Sequence, residues 1–184
     1  MRWLHIYVSL LGLASVLFFA ITGVTLNHPD WFFGEEGHRS EIKATLDPAW
    51  VRSDVAKLEV VEHLRKAHGV HGAMSEFNID DGECLVAFRG PGYAADATIR
   101  RDSGAYTLAQ TSYGFVAILN DLHKGRDSGP VWSIVIDVSA VVLGVISLTG
   151  LVLLFYLKLR RVSGTIVMIV GAILLGVLYY LGVP

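Results

Sequence analysis

Three stretches of this 184-residue chain are almost free of charge, and they decide its class. Trp3 to Leu26 carries no Asp, Glu, Lys or Arg, Val131 to Leu157 carries only Asp137, and Val162 to Val183 carries none. A helix needs about 20 mostly apolar residues to cross ~30 Å of hydrocarbon. Each stretch is long enough, so three transmembrane helices are predicted. Trp3, Trp31, Trp132, Tyr156, Tyr179 and Tyr180 fall near the segment ends, where aromatic side chains anchor helices at the membrane interface. The first run is longer than the apolar core of a secretory signal, and Ala20-Ile21-Thr22 is a poor cleavage site. It reads as an uncleaved anchor.

The charges collect between the first two runs. From Asp30 to Asp127 lie 11 of the 15 basic and 16 of the 17 acidic residues, a net charge of −5. A polar domain is therefore inserted between membrane helices, and about a hundred residues can build one small core. The remaining basic residues set the orientation. Arg2 precedes the first run, and Lys158, Arg160 and Arg161 separate the second and third. By the positive-inside rule these face the cytoplasm, which puts the polar domain outside. The reading is a bacterial inner-membrane protein with a periplasmic domain. Its segments are a first membrane helix over 1–28, a periplasmic domain over 29–120, a lead-in and second helix over 121–158, and a turn and third helix over 159–184.

Within the polar domain, "SDVAKLEVVEHLRKAHGV" predicts an amphipathic helix, capped by Ser53 or Asp54 and ended by Gly69. Val55, Leu58, Val60, Val61 and Leu64 form its apolar stripe. "AMSEFNI", "CLVAFRG", "ADATIRR" and "AYTLAQT" predict four strands separated by turns. The result is a small α+β module. Met74, Phe77, Ile79, Leu85, Ala87 and Ile99 are its core candidates. Cys84 is the only cysteine, so no intrachain disulfide forms, and the thiol is expected buried in a strand.

The module shows no catalytic residues: it has no nucleophile triad in context, no phosphate-binding glycine loop and no paired-cysteine site. His63, His68 and His71 do not share a helical face and read as solvated rather than as a metal site. Arg100-Arg101 offers an anion contact, or simply marks an exposed strand end. No nucleic-acid partner is expected.

Three other histidines stand at membrane edges: His5 one turn into the first helix, His28 at its far end, and His123 in "LNDLHKGRDSGPVW" before the second helix. Tyr113 to His123 reads as a short helix leading to the membrane. His5 and His28 lie ~34 Å apart along a helix and cannot share a metal, whereas His28 and His123 can. Two imidazoles from different helices can hold a b-type haem in an apolar wall. An interfacial histidine whose polar edge reaches water is the competing reading. Asp137, about two turns into the second helix, is a functional candidate by position, as a second-shell partner of a ligand histidine, as an ion-pair partner of Arg126 or Lys124, or as a proton carrier. Thr22-Gly23 and Thr149-Gly150 are short echoes of one another and suggest a related packing role.

The order of these pieces resembles the PepSY-associated transmembrane family over nearly the whole chain. Arg2-x-x-His5 opens the first helix, Thr22-Gly23 leads to His28 at its end, and Leu122-His123-x-Gly125 precedes the second. The resemblance implies a PepSY-like outer module and redox chemistry: larger members look like haem-bearing reductases, and shorter relatives are associated with flavinylated proteins. Carried to this sequence, it makes His5, His28 and His123 candidate axial ligands of haem b. The chain would then be a subunit of a membrane oxidoreductase, passing electrons to a periplasmic flavoprotein or ferric chelate. A homodimer or a partner membrane subunit would complete transfer across the bilayer. Three helices and few histidines depart from the larger members, and no nicotinamide or flavin motif is present. PepSY modules are also linked to peptidase inhibition. The alternative is therefore a non-redox anchor whose module binds or regulates a periplasmic partner such as a peptidase.

Overall fold

A computed structural model describes residues 2–31 and 37–184. Among the described residues, three helices are long and apolar enough to cross a membrane: α1 (Arg2–Asn27), α4 (Gly129–Tyr156) and α5 (Arg161–Gly182). They match the predicted runs to within a few residues. α1 stops at Asn27, and the chain passes through His28 into a short 3₁₀ turn over Pro29–Trp31. Proline disfavours helix in the residue before it, which places the exit there.

Between α1 and α4 lies the α+β module, built from β1 (His38–Thr45), α2 (Lys57–His68), β2 (Ala73–Ile79), β3 (Glu83–Gly90), β4 (Tyr93–Arg100), β5 (Ala105–Ser112) and α3 (Phe115–Lys124). The five strands form one antiparallel sheet in the order β1-β5-β4-β3-β2. Four of them are the predicted strands. β1 pairs along its whole length with β5 and was not anticipated. α2 connects the two edge strands and lays Val60 and Leu64, both fully buried, into the core cluster.

The helix begins at Lys57 rather than at Ser53 or Asp54, and its N-cap Ala56 makes no side-chain cap bond. The segment before it is held elsewhere. Val51 is fully buried, and the Arg101 guanidinium donates to the carbonyls of Val51 (2.7 Å), Arg52 (3.0 Å) and Asp80 (3.0 Å). Arg101 is thus a clamp on backbone oxygens, not a free cation. Gly69 ends the helix as expected, with the positive φ (65°) that glycine tolerates.

The core face also differs from expectation. Cys84, Val86 and Phe88 of β3 point inward, with Ile99 of β4 and Leu108 of β5, while Leu85, Met74 and Ile79 remain exposed. Apolar residues occupy both faces of β3, so alternation alone does not choose the inner one. Cys84 is buried as expected, and burial raises its thiol pKa despite the opposing charge of Arg101. A thiol held protonated is a poor nucleophile. We expect iodoacetamide at pH 8 to leave Cys84 unmodified in the native protein and to alkylate it after denaturation, as read by intact mass. Rapid native labelling would contradict the packing.

The chain divides into two compact units. One gathers residues up to Leu17 with Asp137–Pro184, and the other is Phe18–Ile136. In the first, Gly12 allows close approach of α1 and α4: a Cβ there would come within 2.6 Å of Ile146 Cδ1. Ser15 and Ser139 hydroxyls meet at 3.1 Å in the same seam. In the second, Asp121 of α3 is buried and accepts from Gly92 N–H (2.9 Å) and Arg126 (2.6 Å), tying α3 to the β3–β4 turn.

Candidate functional site

The C-terminal end of α1 carries two buried threonines on one face, Thr22 and Thr25. α3 meets them. The Thr22 hydroxyl lies 2.5 Å from His123 Nδ1, and Thr25 Oγ1 lies 2.6 Å from the Asn120 side-chain amide. Phe19 packs edge-on against the His123 ring, with centroids 5.0 Å apart. Gly23 lies beside the imidazole, where an added Cβ would make an ordinary contact 3.9 Å from His123 Cε1. α3 stops at Gly125 with φ 69°, so His123 and Lys124 occupy its last turn.

In the other unit, His5 of α1 places Nδ1 2.8 Å from the Thr149 hydroxyl of α4. Gly150 again follows the threonine, and a Cβ on it would come within 3.3 Å of His5 Cε1. The two Thr-Gly echoes in the sequence are therefore two seats for histidine. The signal was visible as a repeat, but the partner of each repeat lies more than a hundred residues away and could not be read from it.

The donor and acceptor roles of the two rings depend on the tautomer, and one tautomer suits both threonines. Thr22 Oγ1 donates to the Phe18 carbonyl at 2.6 Å, and Thr149 Oγ1 to the Val145 carbonyl at 2.8 Å. A hydroxyl has one proton. With that proton on the backbone oxygen, the second short contact needs its proton from the ring. In that arrangement Nδ1 of His123 and of His5 is the donor, and Nε2 is the ring nitrogen not engaged by the threonine. A ligating histidine is generally oriented in this way, one ring nitrogen donating to a fixed acceptor and the other free to bind metal.

His28 has different surroundings. Its ring stacks on Trp31, with centroids 3.7 Å apart and planes within 5°, and its Nε2 lies 3.2 Å from the Asn27 amide nitrogen. Among the described residues, His28 and His123 share no hydrogen-bond or ring partner. Asp137 is exposed on α4 and forms no ion pair or hydrogen bond with a described residue, and Arg126 pairs with Asp121 instead. Among the described residues, no three His, Cys, Asp or Glu side chains gather for a metal.

Two further features escaped the sequence reading. His63 and His68 are half-buried and both turn Nε2 to the Tyr106 hydroxyl, at 3.3 and 2.6 Å, so they are partners of a buried tyrosine rather than solvated side chains. Burial raises the Tyr106 pKa, which keeps the phenol protonated and able to donate to one ring and accept from the other. Between α3 and the β3–β4 turn lies a cavity of about 560 Å³, lined by Arg89, Tyr93, Tyr113, Asn120, Asp121 and Lys124 among others.

A family model described as Putative PepSY_TM-like matches residues 1–184, the whole chain. The chain belongs to the PepSY_TM-like family. No curated protein and no solved structure matches it. In this PepSY_TM-like chain, two of the three sequence pieces that carried the resemblance, Arg2-x-x-His5 and Leu122-His123-x-Gly125, supply the two histidines held by threonine. The third piece supplies one of those threonines, Thr22, and ends at His28.

Proposed function

We propose that this PepSY_TM-like protein is an electron-transfer subunit of the bacterial inner membrane that holds b-type haem through His123 and His5. The observation that carries the reading is the pair of threonine–histidine seats. Each anchors an imidazole by Nδ1 on a threonine hydroxyl and leaves Nε2 as the ring nitrogen that would face haem iron. Haem bound there supplies one-electron chemistry in a water-poor wall. The chain's own contribution is to orient the imidazoles, to hold each Nδ1 proton on a threonine oxygen, and to pack apolar helix around them. His28 is the third candidate ligand, with its Nε2 beside the Asn27 amide.

The basic residues Arg2, Lys158, Arg160 and Arg161 support a cytoplasmic N-terminus and 158–161 turn, with the module in the periplasm. There it would dock a flavoprotein or a ferric chelate as acceptor. A second copy or a partner membrane subunit would supply the remaining axial ligands. The cavity beside α3 favours a second reading, a non-redox anchor whose module binds a periplasmic partner such as a peptidase.

An absorption spectrum of the detergent-purified protein, oxidised and dithionite-reduced, from haem-replete cells separates the two. We expect a sharp reduced α band. A folded, colourless protein overturns the redox reading and leaves the anchor. Thr22→Val and Thr149→Val keep side-chain shape but remove the acceptor, and each is expected to weaken haem retention about 10–100-fold while leaving the fold intact.

A further inference from the structure

A groove of about 570 Å³ runs between the C-terminal half of α4 and the first turns of α5. Its walls are apolar, formed by Leu151, Leu154, Val167 and Met168, and Arg160 stands at its end. Gly164 lets α5 close on Leu154 at the narrow point. The turn that joins the helices carries Lys158, Arg160 and Arg161, and none of the three forms an ion pair with a described residue. Between them Leu159 is 97% exposed. A fully exposed leucine among three unpaired cations suits a turn lying in the headgroup layer, with the leucine reaching into acyl chains and the cations among phosphates.

From this juxtaposition we infer that the α4–α5 groove is a binding site for an anionic phospholipid. The Arg160 guanidinium takes the phosphate through paired N–H donors, a geometry an ammonium group does not offer. One acyl chain lies along Leu151, Leu154, Val167 and Met168. Lys158 and Arg161 add to the local positive field without shaping the site. The ligand class follows from the two halves together: a long apolar trough alone accepts any lipid tail, and a cation alone accepts any anion. The groove adjoins the His5 seat at Gly150, but Arg160 and the four apolar wall residues are not proposed haem ligands, so the variants below leave His5 and Thr149 in place.

The test is native mass spectrometry of the full chain in detergent, titrated with phosphatidylglycerol or phosphatidylcholine of equal chain length. Phosphatidylglycerol is expected to be retained preferentially. Arg160→Ala should lower its retention about tenfold, while Lys158→Ala and Arg161→Ala should each lower it by no more than the roughly fivefold factor of one cation at an anionic surface. Val167→Trp fills the groove at an exposed position and should block retention with every charge in place. Equal losses in the three charge variants would mean general attraction and would overturn the site. Unchanged retention in Val167→Trp would overturn the acyl seat. Displacement of the lipid by millimolar inorganic phosphate would assign Arg160 to a free anion and overturn the lipid assignment.

Discussion

In the His123→Ala variant, the haem signal belonging to the α1–α3 seat is expected to vanish while the protein remains folded. His123 is half-buried and its one polar anchor among the described residues is Thr22, so its removal leaves a space beside Gly23 and Phe19. On the haem reading proposed above, the lost group is an iron ligand, and among the described residues no other imidazole shares its hydrogen-bond partner Thr22. His5→Ala should remove a separate fraction of the reduced α band, and the double variant should be colourless. His28→Ala is expected to cost less than His123→Ala, because the His28 ring is engaged by Trp31 and Asn27. Pyridine-haemochrome quantitation of each variant reads the stoichiometry directly. Full haem content in the double variant would remove both histidines from the ligand set.

The second large effect is structural. Leu64 is fully buried at the centre of α2's contact with the sheet, and Leu64→Ala should destabilise the module by about 2–5 kcal/mol through lost burial and an unfilled cavity. Small domains hold only about 5–15 kcal/mol in total, so this loss approaches the module's reserve. Leu58 is the control. It lies on the same predicted stripe but is 70% exposed, and Leu58→Ala is expected to change stability by less than about 0.5 kcal/mol. Urea unfolding of the full chain, followed by tryptophan fluorescence, checks the pair. Equal effects at the two positions would mean that α2 packs by a different face.

The membrane helices were legible because a bilayer demands long uncharged runs, and that demand is written residue by residue. The α+β module was legible in outline for the same reason on a shorter scale: turns at Asp80-Asp81-Gly82 and Asp102-Ser103-Gly104 punctuate the strands. β1 was not, because "HRSEIKAT" shows little apolar alternation and owes its strand state to pairing with β5. Leu85 and Cys84 illustrate the other failure. Both are apolar neighbours on one strand, and only the position of α2 decides which faces inward. The histidine seats needed contacts across 101 and 144 residues, which no local pattern encodes. The Thr-Gly repeat gave their location without their purpose.

The strand order leaves β1 and β2 at the two edges of the sheet, and both are poor templates for another chain. β1 presents Arg39, Glu41 and Lys43 along its exposed length, and β2 carries an irregularity in register between Met74 and Glu76. Charges and bulges are the devices that prevent an open sheet margin from capturing a neighbour's backbone. The two sheet margins thus disfavour docking by an added strand and leave the side-chain surfaces of the module as its better-suited contact faces.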